Sequence, residues 1–264
     1  MKEKILSVLT DVKASITEIF ADKKKKRSLI IYCSVAAVVI ATVIAVAVYA
    51  GDFYSADRSA IDQAMANISD IEIYDLRGGV TVYEPKDKSD VGFIFYPGGK
   101  VDHNAYTPLV AELASRGITT VICEMPLKLA VLNVNAADVI PDALPEVEHW
   151  YIGGHSLGGS MAATYLDSHP EISGLILLGS YSTADVSDKR ALSIYGSEDG
   201  VMNREKYEQY KSNLSFDMTE LVIEGGNHAY FGMYGEQDGD GRATISPAEQ
   251  IEITADAIAE FINH

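Results

Sequence analysis

The sequence predicts an α/β protein, a mostly parallel β-sheet with helices on both faces, preceded by one apolar segment long enough to cross a membrane. Three observations carry this. Strand-like and helix-like runs alternate from residue 71 to the end of the chain. Charge and hydropathy are divided unequally along the chain. Short glycine-bearing loops follow several of the strand-like runs, the positions where open sheets of this kind keep their sites.

The division of charge comes first. Over 264 residues, 38 acidic side chains stand against 21 basic ones, a formal charge of −17, yet the mean hydropathy is +0.05. Residues 1–50 hold 8 basic and 4 acidic side chains, whereas residues 51–264 hold 13 and 34, a net of −21. A short basic, apolar leader is therefore joined to an acidic globular body. A body so acidic has no surface for nucleic acid, whose phosphates require a basic one. Its length suits one domain with one core, and its periodic apolar runs exclude low-complexity disorder.

Ser28 to Ala50 carries no charge. At about 1.5 Å per residue it spans roughly 34 Å, enough for the hydrocarbon core of a bilayer. Lys23–Arg27, five consecutive positive charges, precede it. By the positive-inside rule they hold that end in the cytoplasm and leave the body outside. The expected organisation is a cytoplasmic segment over 1–27, a transmembrane signal anchor over 28–50, a stalk or first helix over 51–70, and the alternating α/β domain over 71–264. Cleavage after Ala50, with Val48 and Ala50 as the small residues, is the alternative. Ile5, Leu9, Val12 and Ile16 predict a short amphipathic helix before the basic run.

In the body, Ala56–Ile68 reads as a polar helix. Strands are predicted over Ile71–Tyr74, Val80–Tyr83, Val91–Tyr96, Thr119–Cys123, Trp150–Gly153, Gly174–Leu178, Ala191–Tyr195 and Glu220–Ile223. Helices are predicted over Tyr106–Arg116, Asn135–Leu144, Gly158–Ser168, Arg204–Leu214 and Pro247–Ile262. Cys33 lies in the apolar leader and Cys123 in a buried strand, so no disulfide or cysteine metal site is expected.

The chemistry concentrates at three strand ends. Gly154-His155-Ser156-Leu157-Gly158 stands between a strand and a helix, the context in which G-x-S-x-G lifts a serine hydroxyl above the sheet. Such a hydroxyl needs a neighbouring base to become a nucleophile. Asn227-His228-Ala229 supplies it after one later strand, and Glu198-Asp199-Gly200 supplies an acid after another. Asp199, shorter and one residue further into the turn than Glu198, is the expected partner of His228. The order Ser156, Asp199, His228 suits a convergent acyl-transfer site. Oxyanion donors are expected from the Leu157 backbone N–H and from Gly99, in the loop after VGFIFY.

Together YPGGKVD, GGHSLGG, YGSEDG and GGNHAYFG resemble the α/β-hydrolase superfamily, most closely its compact, lidless bacterial branch near the dienelactone-hydrolase-like enzymes. The resemblance runs from about Val91 to Ile262. It implies an α/β-hydrolase fold and hydrolysis of a small carboxylic ester or related acyl bond through an acyl-serine intermediate, with no cofactor. Dienelactone hydrolases proper use cysteine where this chain has Ser156, so their substrate does not carry over. Thioesterase, peptidase and acyltransferase chemistry use the same triad, and a non-catalytic surface module on the same fold is the alternative of a different kind.

Two further features bear on metals and substrate. Asp238 to Glu249 has acids at positions 1, 3 and 12 of a calcium-type loop, but Arg242 and Ala243 replace a ligand and the turn glycine. The expected role is an acidic loop before the last helix, with Ser246 as N-cap and Pro247 at N1. No histidine has a spacing that suggests a metal. Tyr106, Tyr230 and Phe231 are candidates for an acyl pocket or, equally, for core or rim packing, and no obligate protein partner is indicated.

Overall fold

The structure, a computed structural model, describes Thr10, Lys13 and residues 23–264. The amphipathic helix expected before the basic run lies outside the described residues. The chain divides into two units, Met1–Asp52 and Phe53–His264.

In the first unit, α1 (Lys23–Gly51) is one unbroken helix of 29 residues with no buried side chain. Ile30, Val38, Val43 and Val48 are all more than half exposed within the chain. By length and composition it is long and apolar enough to cross a membrane.

In the second unit, α2 (Arg58–Met65) is capped by Asp57, whose Oδ1 accepts the Ala60 N–H at 3.1 Å. Residues before and within α2 are tied to the sheet's loops. Tyr54 N–H donates to Lys100 O at 2.8 Å, Asp57 N–H donates to Met233 O at 2.8 Å, and Ile61 and Met65 pack on the core. The sheet then follows as β1 (Ile71–Leu76), β2 (Val80–Pro85), β3 (Val91–Tyr96), helix α3 (Thr107–Ser115), β4 (Thr119–Cys123) and β5 (His149–His155). After these come α4 (Leu157–Asp167), β6 (Gly174–Leu178), β7 (Arg190–Gly196), α5 (Arg204–Tyr210), β8 (Thr219–Ile223) and α6 (Pro247–Asn263). The eight strands are ordered β1-β2-β4-β3-β5-β6-β7-β8; the β1–β2 and β2–β4 pairs are antiparallel and the rest parallel.

The parallel centre is buried on both faces, which explains its near-continuous apolar runs. Along β3, Phe93 and Phe95 face the core under α3 and α6, while Ile94 and Tyr96 face the one under α4. Ser246 caps α6 by accepting the Glu249 N–H at 3.2 Å, with Pro247 in the first turn.

Two predicted helices are shorter than their patterns. Asn135–Leu144 forms a 3-10 turn, Ala136–Val139, and a single α-turn, Ile140–Ala143. Pro141 has no N–H and fits only a first turn, so a helix cannot run through it from upstream. Arg204–Leu214 is α-helical only to Tyr210 and then tightens into the 3-10 turn Lys211–Asn213.

Candidate active site

Ser156, Asp199, His228 and Gly99 all lie just past the carboxyl ends of parallel strands β5, β7, β8 and β3. Ser156 occupies φ 53°, ψ −123°, a conformation that costs a residue with a side chain and persists only where the surroundings enforce it. The surroundings do so here. Its N–H donates to Leu178 O at 2.9 Å, and its carbonyl accepts the Ser180 hydroxyl at 2.7 Å. Helix α4 begins at the next residue and presses against the end of β3. A Cβ on Gly158 would overlap the carbonyl oxygens of Tyr96 and Pro97, so only glycine fits there.

The structure joins Asp199 and His228. His228 Nδ1 lies 2.8 Å from Asp199 Oδ2, with both side chains essentially buried. Asp199 Oδ1 accepts the Val201 and Met202 N–H groups at 3.0 and 2.8 Å, so the carboxylate is fully engaged. Bonded this way, Nδ1 carries the proton and Nε2 is the basic nitrogen. That Nε2 is buried and has no hydrogen-bond partner among the described residues. No hydrogen bond joins that nitrogen to Ser156. The ring of its chain neighbour His155 lies 4.4 Å from that of His228, and Gly179, beside Ser156 at the end of β6, approaches His228 Nδ1. The Glu198 side chain is exposed, and among the described residues its only hydrogen bond comes from the Ser197 hydroxyl, at 3.2 Å.

The candidate oxyanion donors also meet. Gly99 packs against the Leu157 side chain, where an added Cβ would lie 3.0 Å from Leu157 Cδ2. Neither residue's backbone N–H has an acceptor among the described residues. The Gly98 N–H is engaged instead, donating to Tyr106 OH at 3.2 Å, and that hydroxyl is hydrogen-bonded to His155 Nδ1 at 2.8 Å. Burial pushes the Tyr106 phenol up, and it stays protonated. Burial, and next to it the neighbouring His228, holds His155 well below the usual imidazole range, so the inner ring is neutral.

The residues lining the cleft beside Ser156 are not the aromatic ones named as acyl-pocket candidates. Tyr106 and Phe231 are fully buried behind His155, and Tyr230 lines a separate polar depression beside Asp240 and Arg242. The cleft beside Ser156, about 240 Å³, is lined by Leu157, Ser160, Tyr181, Val201, Met202 and Asn203. At the opposite end of β5, His149 comes together with Asp90 and Glu148, their ligand atoms within 4.8 Å of one another and all three residues exposed. That grouping has no counterpart in linear spacing.

The family model described as "Alpha/beta hydrolase family" matches residues 92–252. The chain belongs to this family and is a hydrolase by fold and membership. Similar solved structures include TT1662 from Thermus thermophilus, at 12% identity and TM-score 0.54, covering 74% of this chain and 99% of that one. The esterase domain of a Rhodothermus marinus protein is similar at 12% identity and TM-score 0.51, covering 72% and 97%. ESTFA, in an Fe-lacking apo form, is similar at 14% identity and TM-score 0.52, covering 77% and 90%. At these identities the likeness is one of fold. Neither the family match nor these structures assign the chain to the dienelactone-hydrolase-like branch, and among curated proteins no sequence matches it.

Proposed function

We propose that this hydrolase is a serine esterase, in which Ser156, His228 and Asp199 cleave a small carboxylic ester through an acyl-serine intermediate. The observation that carries the reading is the buried 2.8 Å bond between His228 Nδ1 and Asp199, which leaves Nε2 without a partner, in a sheet whose neighbouring strand end holds Ser156 in a strained strand-to-helix turn. The Ser156 hydroxyl attacks the ester carbonyl as His228 Nε2 takes its proton. Negative charge then develops on the carbonyl oxygen, where the Gly99 and Leu157 N–H groups and the start of α4 stabilise it. The imidazolium, held by Asp199, returns the proton to the leaving alcohol. Water, deprotonated by the same nitrogen, releases the acid and regenerates the serine. Each step is an addition to or an elimination from the acyl carbon coupled to a proton transfer through His228, so the reading needs no cofactor.

A fluorophosphonate probe tests it, since it phosphonylates only an activated serine. Labelling on the peptide containing Ser156, lost in Ser156→Ala with the fold intact, is the expected result. A folded wild-type protein that does not label would favour a binding module instead.

The same reading extends to location. Lys23–Arg27 ahead of the apolar run supports a single-pass membrane anchor with a cytoplasmic N-terminus and an extracytoplasmic catalytic unit.

A further inference from the structure

The loop between β8 and α6 contains Asp240, a half-buried aspartate lying between the two loops that carry the acid and the base. Its Oδ1 accepts the backbone N–H groups of Gly200 at 3.0 Å, His228 at 3.2 Å and its own neighbour Gly241 at 2.9 Å. Its Oδ2 accepts the Ala229 N–H at 2.8 Å. Gly200 directly follows Asp199, and Ala229 directly follows His228. One carboxylate thus reaches across from the acid's loop to the base's loop, through charge-assisted bonds that are stronger than neutral ones.

The surrounding contacts fix the carboxylate itself. A Cβ on Gly241 would overlap the Glu198 carbonyl oxygen, so the Asp240 turn lies backbone to backbone against the acid loop. Asn227 Nδ2 donates to Gly241 O at 3.0 Å. Buried Gln250 accepts the Asn227 N–H at 3.0 Å and donates to the Asn227 carbonyl at 2.8 Å. The base loop is therefore held on both sides. This arrangement also bears on the calcium-type spacing, because the carboxylate at position 3 of that loop is already engaged by four backbone N–H donors, three of them on Oδ1.

We propose that Asp240 is a positioning residue: it locks the Asp199 and His228 loops in one geometry and thereby aims His228 Nε2 at the serine. The proposal rests on the reading of Asp199 and His228 as the acid–base pair. Asp240→Asn is nearly isosteric but offers one acceptor oxygen and turns an N–H₂ toward backbone donors, so the two loops part. Displacements near 1 Å at such a pair cost about 10²-fold in rate.

The test compares wild type, Asp240→Asn and, as control, Asp238→Asn, whose side chain is exposed. The substrate is p-nitrophenyl acetate, alongside the rate of fluorophosphonate labelling and the low-field proton resonance of His228 Nδ1–H. In Asp240→Asn, kcat should fall about 10²-fold with KM within about twofold, because the cleft is untouched, and labelling should slow in parallel. The low-field resonance should broaden or vanish, and Asp238→Asn should match wild type. Unchanged kcat, or a rise in KM alone, would overturn the proposal. So would equal losses in both variants accompanied by sensitivity to EDTA, the pattern expected of calcium. Amide exchange in the wild type covers the case in which Asp240→Asn does not fold: slow exchange at Gly200, His228 and Ala229 supports the brace, and free-loop rates refute it. A wild type that neither labels nor turns over refutes the serine reading alone, and the resonance and the exchange rates still decide the brace.

Discussion

Asp199 buries its carboxylate against His228 Nδ1 and two backbone N–H groups, whereas the adjoining Glu198 lies exposed with only the Ser197 hydroxyl as partner. Asp199→Asn should therefore lower kcat about 10³- to 10⁴-fold by presenting the wrong hydrogen-bond partner to His228, while Glu198→Gln leaves it nearly unchanged. Steady-state kinetics decide between them, and a crippled Glu198→Gln would reassign the acid. His155 gives the pH dependence. Burial lowers its pKa in the folded protein, while in the unfolded chain it titrates near the ordinary value of about 6.5. Below that pH the unfolded chain binds a proton that the folded one refuses, so stability falls on acidification, by up to about 1.4 kcal/mol per pH unit. His155→Gln, which keeps an acceptor for Tyr106, should flatten the loss in melting temperature between about pH 6.5 and 5. Parallel curves for the two proteins would contradict a neutral buried His155. The proposed triad is legible in sequence because a candidate nucleophile, acid and base each stand at a strand end in a workable order. Asp240 is not, because its partners are backbone N–H groups, which a sequence does not distinguish, and its acids mimic a calcium loop. The Tyr106–His155 bond spans 49 positions and leaves no local pattern either.

At the scale of elements, the turn from β5 into α4 sets the site. Helix α4 reaches the end of β3 only because Gly158 has no side chain, and that approach brings Leu157 beside Gly99. Gly158→Ala should push the helix away from Tyr96 and Pro97, destabilising the fold by about 3 kcal/mol and separating the two oxyanion donors. Urea unfolding together with ester turnover checks both effects; a variant with wild-type midpoint and rate would show that the packing is looser than described. The strands were readable because the parallel centre, covered on both faces, writes itself as short apolar runs between turns. The segment over Asn135–Leu144 misled because its apolar spacing is helical, yet Pro141 confines the helix to one turn. The acyl pocket misled for another reason. Phe231 and Tyr106 turn inward to the core, Tyr230 lines a separate depression, and the cleft is lined instead from the start of α4 and the loops after β6 and β7.

At the scale of the molecule, every buried core side chain belongs to residues 53–264, and α1 contributes none among the described residues. A chain of residues 53–264 should therefore fold alone and keep the melting temperature and the proposed ester turnover of the full chain, which on the proposed anchoring sediments with membranes. In intact cells, external protease should remove the catalytic unit and spare residues 1–27; protection of that unit would reverse the proposed orientation. The central claim, that Ser156 carries the acyl group, is reached most directly by acid-quenching the protein during turnover of p-nitrophenyl acetate and measuring the mass of its peptides. The account predicts a single acetyl group on the peptide containing Ser156, formed in a burst and absent in Ser156→Ala. Steady turnover without that adduct, an adduct on another residue, or undiminished turnover by Ser156→Ala would contradict it.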